Sequence, residues 1–171
     1  MRIVGGRFAG RALTSPNDFR VRPTAEPVRG RLLDLLAADV ATARVLDLFA
    51  GTGALGLEAM SRGAKFADFV ETRPSSLHAL RANIALLRLS KRTRVFKRDA
   101  LPFAAALAPG SYDIAFADPP YESRMLDRAI DTWRARCFSR ILAVEHAHTH
   151  ALPPGAHREL IEDTAITIYR I

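Results

Sequence analysis

The stretch Leu46-Asp47-Leu48-Phe49-Ala50-Gly51-Thr52-Gly53-Ala54-Leu55-Gly56 decides the fold. A short apolar run over 44–48 leads into three glycines spaced Gly51-x-Gly53-x-x-Gly56. Glycine allows the left-handed backbone of a tight turn and lets the main chain approach a ligand closely. A strand that enters such a turn and a helix that leaves it form the first unit of a nucleotide-binding α/β sheet. The spacing alone does not name the ligand, but Asp47 narrows it. A carboxylate four residues before Gly51 repels a pyrophosphate and suits a cationic amino group.

Outward from this unit the pattern is regular. Apolar runs at 44–48, 67–71, 94–97, 112–117 and 140–145 predict strands, and the segments 54–62, 74–88, 101–107 and 123–136 predict helices between them. Such alternation gives a parallel sheet covered on both faces. After residue 150 it stops, and 157–162 with 165–170 read as an antiparallel hairpin around a tight Asp163-Thr164 turn. Upstream, residues 2–13 carry short β-prone runs broken by Gly5-Gly6 and Gly10, which predicts a small hairpin. Thr24 is placed to cap a helix with Pro27 in its first turn, and Leu32, Leu33, Leu35 and Leu36 give that helix an apolar face. The expected organisation is a basic hairpin extension over 1–23 that projects from a domain over 24–171.

The chain has 171 residues, 49% hydrophobic and 25% charged, which is one globular domain and excludes disorder throughout. The single cysteine, Cys137, excludes a disulfide framework and any CxxC metal or redox motif. No run approaches the ~18–20 apolar residues of a membrane-crossing helix, and Met1 to Gly6 lack the apolar core of a secretory leader. A cytoplasmic protein with no membrane partner is expected. The net charge is +7, and residues 1–31 hold seven arginines against two acids. A second cluster, Arg88, Lys91, Arg92, Arg94, Lys97 and Arg98, contains no acid. Charge concentrated in this way suits a polyanion.

Acids also stand where the predicted strands end. Glu71 can accept the hydroxyls of a ribose, as the corresponding acid does in dinucleotide sites. Asp99-Ala100 follows the third strand, where a carboxylate could meet an adenine amino group. Asp118-Pro119-Pro120-Tyr121 follows the fourth. The prolines fix the backbone there, so the Asp118 carboxylate and the Pro119 carbonyl can both accept from one exocyclic amino group, while Tyr121 offers a ring for base stacking. A base amino nitrogen is a poor nucleophile because its lone pair is delocalised. Two fixed acceptors favour the positive charge that grows on it as it attacks. His146-x-His148-x-His150 reads as a polar loop rather than a metal site, and no metal is expected. Cys137 and Trp133 read as packing residues at a helix end.

A mostly parallel seven-stranded sheet with a C-terminal antiparallel hairpin is the Rossmann-like layout of class I S-adenosylmethionine (SAM)-dependent methyltransferases. Within that class the chain resembles the bacterial RsmD family, which methylates a guanine N2 of 16S ribosomal RNA. The resemblance rests on Arg2-Ile3-Val4-Gly5-Gly6 with Gly10-Arg11, on Arg22-Pro23-Thr24, on Leu46 to Ala64, on Val70-Glu71 and on Asp118 to Tyr121. It implies SAM as methyl donor, with Asp47, Phe49, Gly51, Gly53, Glu71, Asp99 and Ala100 as the cofactor contacts. It implies Asp118, Pro119, Pro120 and Tyr121 as the catalytic set. Arg2, Arg7, Arg11, Arg20 and Arg22 become the expected grip on 16S rRNA or the assembling small subunit, by a monomeric enzyme. Two departures stand out: Arg73-Pro74 where the family commonly carries an acid two positions after Glu71, and Glu26-Pro27 in place of its usual Asp-Arg pair. Two alternatives stay open, an adenine-N6 methyltransferase acting on DNA or another RNA, and a non-catalytic RNA-binding module of the same fold.

Overall fold

The central strands are buried almost without a break, because successive side chains pass alternately to two faces of the sheet and both faces are covered. The computed structural model describes residues 1–16, 24–120 and 124–171. The strands are β1 (Arg44–Leu48), β2 (Phe66–Val70), β3 (Thr93–Phe96), β4 (Tyr112–Ala117), β5 (Ser139–Ala147), β6 (His157–Ile161) and β7 (Thr164–Arg170). The helices are α1 (Glu26–Leu35), α2 (Ala37–Val40), α3 (Ala54–Ser61), α4 (Pro74–Leu86), α5 (Ala100–Ala105) and α6 (Met125–Arg136). The sheet order is β3-β2-β1-β4-β5-β7-β6. β1 to β5 run parallel and β7 runs antiparallel to both neighbours. This is the expected Rossmann-like methyltransferase sheet with its terminal hairpin. The hairpin turns one residue earlier than expected, at Glu162-Asp163, with Glu162 in the left-handed region and Thr164 already in β7.

Two apolar layers hold the sheet. One packs Leu32 and Leu33 of α1, Leu57 of α3 and Leu80 of α4 against Val45, Phe69, Ile114, Phe116, Ile141 and Ala143. The other packs Ala104 of α5 and Ile130 and Trp133 of α6 against Leu46, Leu48, Val70, Ala115, Leu142 and Val144.

The N-terminal residues close into a hairpin, but that hairpin does not project. Backbone bonds join Ile3 to Arg11 and Gly10, and Leu13 to Met1, at 2.9 Å each. Ile3 and Leu13 are buried in the first apolar layer. The buried Glu58 carboxylate of α3 accepts the N–H groups of Val4 and Gly5 at 2.9 and 2.7 Å. Arg29, itself fully buried, donates to Glu58 at 3.3 Å and to the Arg2 carbonyl. The physical reason is an even division of the segment: arginines face water while two aliphatic side chains and the backbone are claimed by α1 and α3.

Candidate active site

The register lines up the ends of the parallel strands. Leu48 lies opposite Val70 on one side and Ala117 on the other, and Ala117 lies opposite Val144. The next residue on each strand therefore falls in one row, Glu71, Phe49, Asp118 and Glu145. This row sits at the carboxyl edge where strand order reverses between β1 and β4, the place where open α/β sheets bind ligands. A cavity of about 520 Å³ opens there, lined by all four of these residues together with Asp47, Gly51, Asp99 and Ala100. That volume is in the range of small-molecule pockets, roughly 300–1,000 Å³.

One half of the cavity is built by the glycine loop. Phe49 takes a positive φ of 61° as the chain leaves β1, and Gly51 follows at 55°. A Cβ on Gly51 would meet no protein atom within 4 Å, so the main chain there faces open space. Gly53 serves differently: a Cβ on it would stand 2.4 Å from Leu80 Cδ1 and 3.3 Å from Phe69. It lies behind the loop against the apolar layer, away from the cavity wall. Glu71 ties the loop to β2, with its Oε2 accepting from Gly51 N–H at 2.8 Å and its Oε1 from Thr72 and Arg73 N–H at 2.7 and 2.8 Å. Asp47 accepts from Gly56 N–H at 2.9 Å. It is 2% exposed, and burial pushes its carboxyl up to about 8, with the neighbouring Glu71 charge adding to the effect. A cation reaching Asp47 restores its charge. Asp99 is exposed at the start of α5, and Ala100 is buried beside it.

The other half is built by the β4 end. Asp118 is half-buried, Pro119 is buried and Pro120 is exposed, all on the cavity wall. Tyr121, the fourth member of the expected set, lies outside the described residues. Thr24 does not cap α1, whose N-cap is Ala25 without a side-chain bond. Its hydroxyl instead donates to Asp118 Oδ2 at 2.8 Å, which fixes the carboxylate. A β-branched hydroxyl residue before a helix reads as a cap in sequence, so only the fold shows this second use. Glu145 was not expected here at all, yet it is buried in the wall beside Asp118. A signal existed: an acid at the end of an apolar run, as with Glu71 and Asp118.

The flanks carry charge. Arg73 and Arg98 line the cavity. Arg2, Arg7 and Arg11 are exposed, whereas Arg20 and Arg22 lie outside the described residues. Asn83 of α4 joins the N-terminal segment to the glycine loop, accepting from Thr14 N–H at 2.7 Å and donating to the Thr14 and Thr52 carbonyls at 3.0 and 3.1 Å. In the second basic cluster, Arg94 pairs with buried Asp68 at 2.6 Å and Arg92 donates to the Ala64 and Lys65 carbonyls. Each of the three histidines is held by its own partner: His146 bonds Thr167 at 2.9 Å from within β5, His148 bonds the Asp163 carbonyl, and His150 pairs with Asp127 at 3.1 Å with its ring 6.3 Å from that of His146.

Known proteins resemble this chain in sequence and fold. The Escherichia coli ribosomal RNA small subunit methyltransferase D is 38% identical over 131 residues, an alignment that covers 77% of this chain and 65% of that protein. The solved structure of E. coli yhhF, described as a candidate methyltransferase, superposes with a TM-score of 0.85 at 32% identity and covers 99% and 97% of the two chains. An RNA methyltransferase from Salinibacter ruber, solved with S-adenosyl-L-homocysteine, shares the fold at a TM-score of 0.67 and 18% identity, over 88% of this chain and 94% of that one. The family model described as Conserved hypothetical protein 95 matches residues 1–162. The chain therefore belongs to that family, the RsmD family that its glycine loop, Arg-Pro-Thr element and Asp-Pro-Pro-Tyr motif resemble.

Proposed function

We propose that this protein transfers a methyl group from SAM to the exocyclic N2 of a guanine in small-subunit ribosomal RNA. The observation that carries the reading is the shared cavity, with Asp47 and Glu71 at one side and Asp118 with Pro119 at the other. The residues fit the donor. Gly51 leaves open space at the turn, Glu71 presents a carboxylate to a ribose, and buried Asp47 offers its carboxyl to an amino cation. When bound, the donor supplies a sulfonium methyl that even a weak nucleophile can take. The names of the E. coli and S. ruber proteins support an RNA substrate and this donor.

On the acceptor side, Thr24 holds Asp118 through one oxygen at 2.8 Å. The carboxylate and the Pro119 carbonyl then accept from the target amino group and favour its developing positive charge, with no strong base needed. The alignment of nitrogen and methyl carbon in one cavity supplies much of the remaining rate. The base reaches this depth by flipping out of its stack, while Arg2, Arg7 and Arg11, with Arg20 and Arg22, grip phosphates of 16S rRNA or the assembling subunit. The enzyme acts as a monomer and needs no metal for this chemistry.

The test is Asp118→Ala. Calorimetry should show wild-type SAM affinity, and turnover should fall by about 10²–10³, the range for losing one transition-state partner. Wild-type turnover in this variant would remove Asp118 from the chemistry.

A further inference from the structure

Asp118 and the Pro119 carbonyl can hold an exocyclic amino group of either purine. Guanine and adenine differ at the ring nitrogen beside it: guanine N1 carries a hydrogen and donates, whereas adenine N1 carries a lone pair and accepts. A flipped base is read along this edge. Whatever stands next to Asp118 therefore sets which purine is taken.

That neighbour is Glu145. Ala117 lies opposite Val144 in the β4–β5 ladder, so Asp118 and Glu145 occupy adjoining positions in the row at the carboxyl edge. They also point to the same side. Ile114 and Phe116 of β4 and Ile141 and Ala143 of β5 all enter one apolar layer, and with a period of two, 118 and 145 continue those rows. Both line the one cavity, with Thr24, Pro119 and Pro120 around them. Glu145 is 5% exposed, so a base that meets it does so largely out of water, where poor solvation magnifies the difference between a matched and a mismatched contact.

We propose that Glu145 selects guanine, its carboxylate accepting N1–H while Asp118 accepts from N2. The proposal rests on the methyl-transfer reading above and adds the residue that decides the base. A carboxylate against N1–H is a charge-assisted hydrogen bond. The same carboxylate against adenine N1 sets acceptor against acceptor and leaves both unsatisfied out of water, the situation in which polar sites discriminate most strongly. Glu71 and Asp47 do not compete for this role: Glu71 follows β2, on the far side of β1 from Asp118, and Asp47 lies within β1, where it holds the glycine loop through Gly56 N–H.

The experiment begins by mapping the nucleotide that wild-type protein methylates in small-subunit RNA. RNA is then built by ligation with either guanine or 2-aminopurine at that nucleotide. 2-Aminopurine keeps the 2-amino group but has an N1 that accepts. Wild-type protein should prefer guanine by about 10²-fold or more in kcat/KM. Glu145→Gln, whose amide both donates and accepts, should lose rate on guanine and gain on 2-aminopurine, and so compress the preference to within about 10-fold. Its melting temperature and SAM affinity should match wild type. Because 2-aminopurine also lacks O6, the decisive quantity is the change in preference between the two proteins. An unchanged preference in Glu145→Gln, or an equal fall on both bases, overturns the proposal while methyl transfer to guanine stands. A wild-type product methylated on adenine N6 overturns the reading itself, and guanine selection with it, at the mapping step.

Discussion

Asp47 is an acid whose surroundings favour its neutral form until a cation arrives, and its behaviour with pH follows from that. Its carboxyl is pushed up to about 8 by burial, against an unfolded value near 3.9. Between these values the folded protein without donor holds a proton that the unfolded chain has lost, so stability falls as pH rises through the window. Asp47→Asn keeps an acceptor for Gly56 N–H and removes the titration. In thermal melts without donor, the variant should gain on wild type as pH rises from 5 to 8, and the gap should level off above 8. With SAM present the order should reverse, because the variant loses a charged partner for the amino cation and about 10–100-fold in affinity. Parallel melting curves across this range would remove the buried acid from the account. Glu71 and Asp118 were legible in sequence because each is an acid closing an apolar run, and Asp47 because it stands four residues before Gly51. Thr24 was not, since capping a helix and holding a carboxylate call for the same hydroxyl. Glu145 closes the predicted run over 140–145 in the same way, but no motif stands beside it, and its place next to Asp118 follows from the β4–β5 register rather than from local pattern.

At the next scale, the glycine loop and the N-terminal hairpin show what an element's pattern leaves open. The Gly51-x-Gly53-x-x-Gly56 spacing announces the turn but not which glycine meets the ligand and which meets the core. Gly53, with φ 82°, leaves no room for a Cβ against Leu80 and Phe69, whereas Gly51 faces the cavity. Gly53→Val should therefore act mainly on stability, at about 2–5 kcal/mol of strain and overpacking, a fall of roughly 5–15 °C in Tm. Gly51→Ala should melt within a few degrees of wild type yet bind SAM more weakly, because its methyl group enters the cavity. Melts paired with calorimetry separate the two, and equal melting temperatures would show that Gly53 does not support the core as described. The hairpin over residues 2–13 was visible from its glycines and β-prone runs. Its docking was not, because the partners that claim it, Arg29, Glu58 and Ser61, are charged or polar residues that sequence patterning assigns to the surface.

At the scale of the whole molecule, the proposed RNA substrate calls for basic charge within reach of the cavity. The hairpin carries Arg7 to the Ser61 end of α3, about 10 Å along the helix from the glycine loop. Arg7 and Arg11 therefore suit phosphates beyond the flipped base rather than at it. In the second cluster Arg92 and Arg94 are already engaged within the fold, which leaves less of it for a polyanion. Charge reversal at both Arg7 and Arg11 should weaken RNA binding across sequences. It should also flatten the salt dependence by a slope of about 0.7–0.9 for each lost phosphate contact, with SAM affinity unchanged. An unchanged slope would move the phosphate grip to Arg88–Arg98. No helix among the described residues is long and apolar enough to cross a membrane.

Methyl transfer to a guanine amino group is measured most directly by its product. Purified protein is incubated with methyl-labelled SAM and small ribosomal subunits, both assembled particles and naked 16S RNA. The RNA is then digested and its labelled nucleoside identified. Label is expected in N2-methylguanosine at one position, with its rate of appearance about 10²–10³-fold lower in Asp118→Ala. Label in N6-methyladenosine, or no transfer to either form of the RNA, would contradict the proposed function.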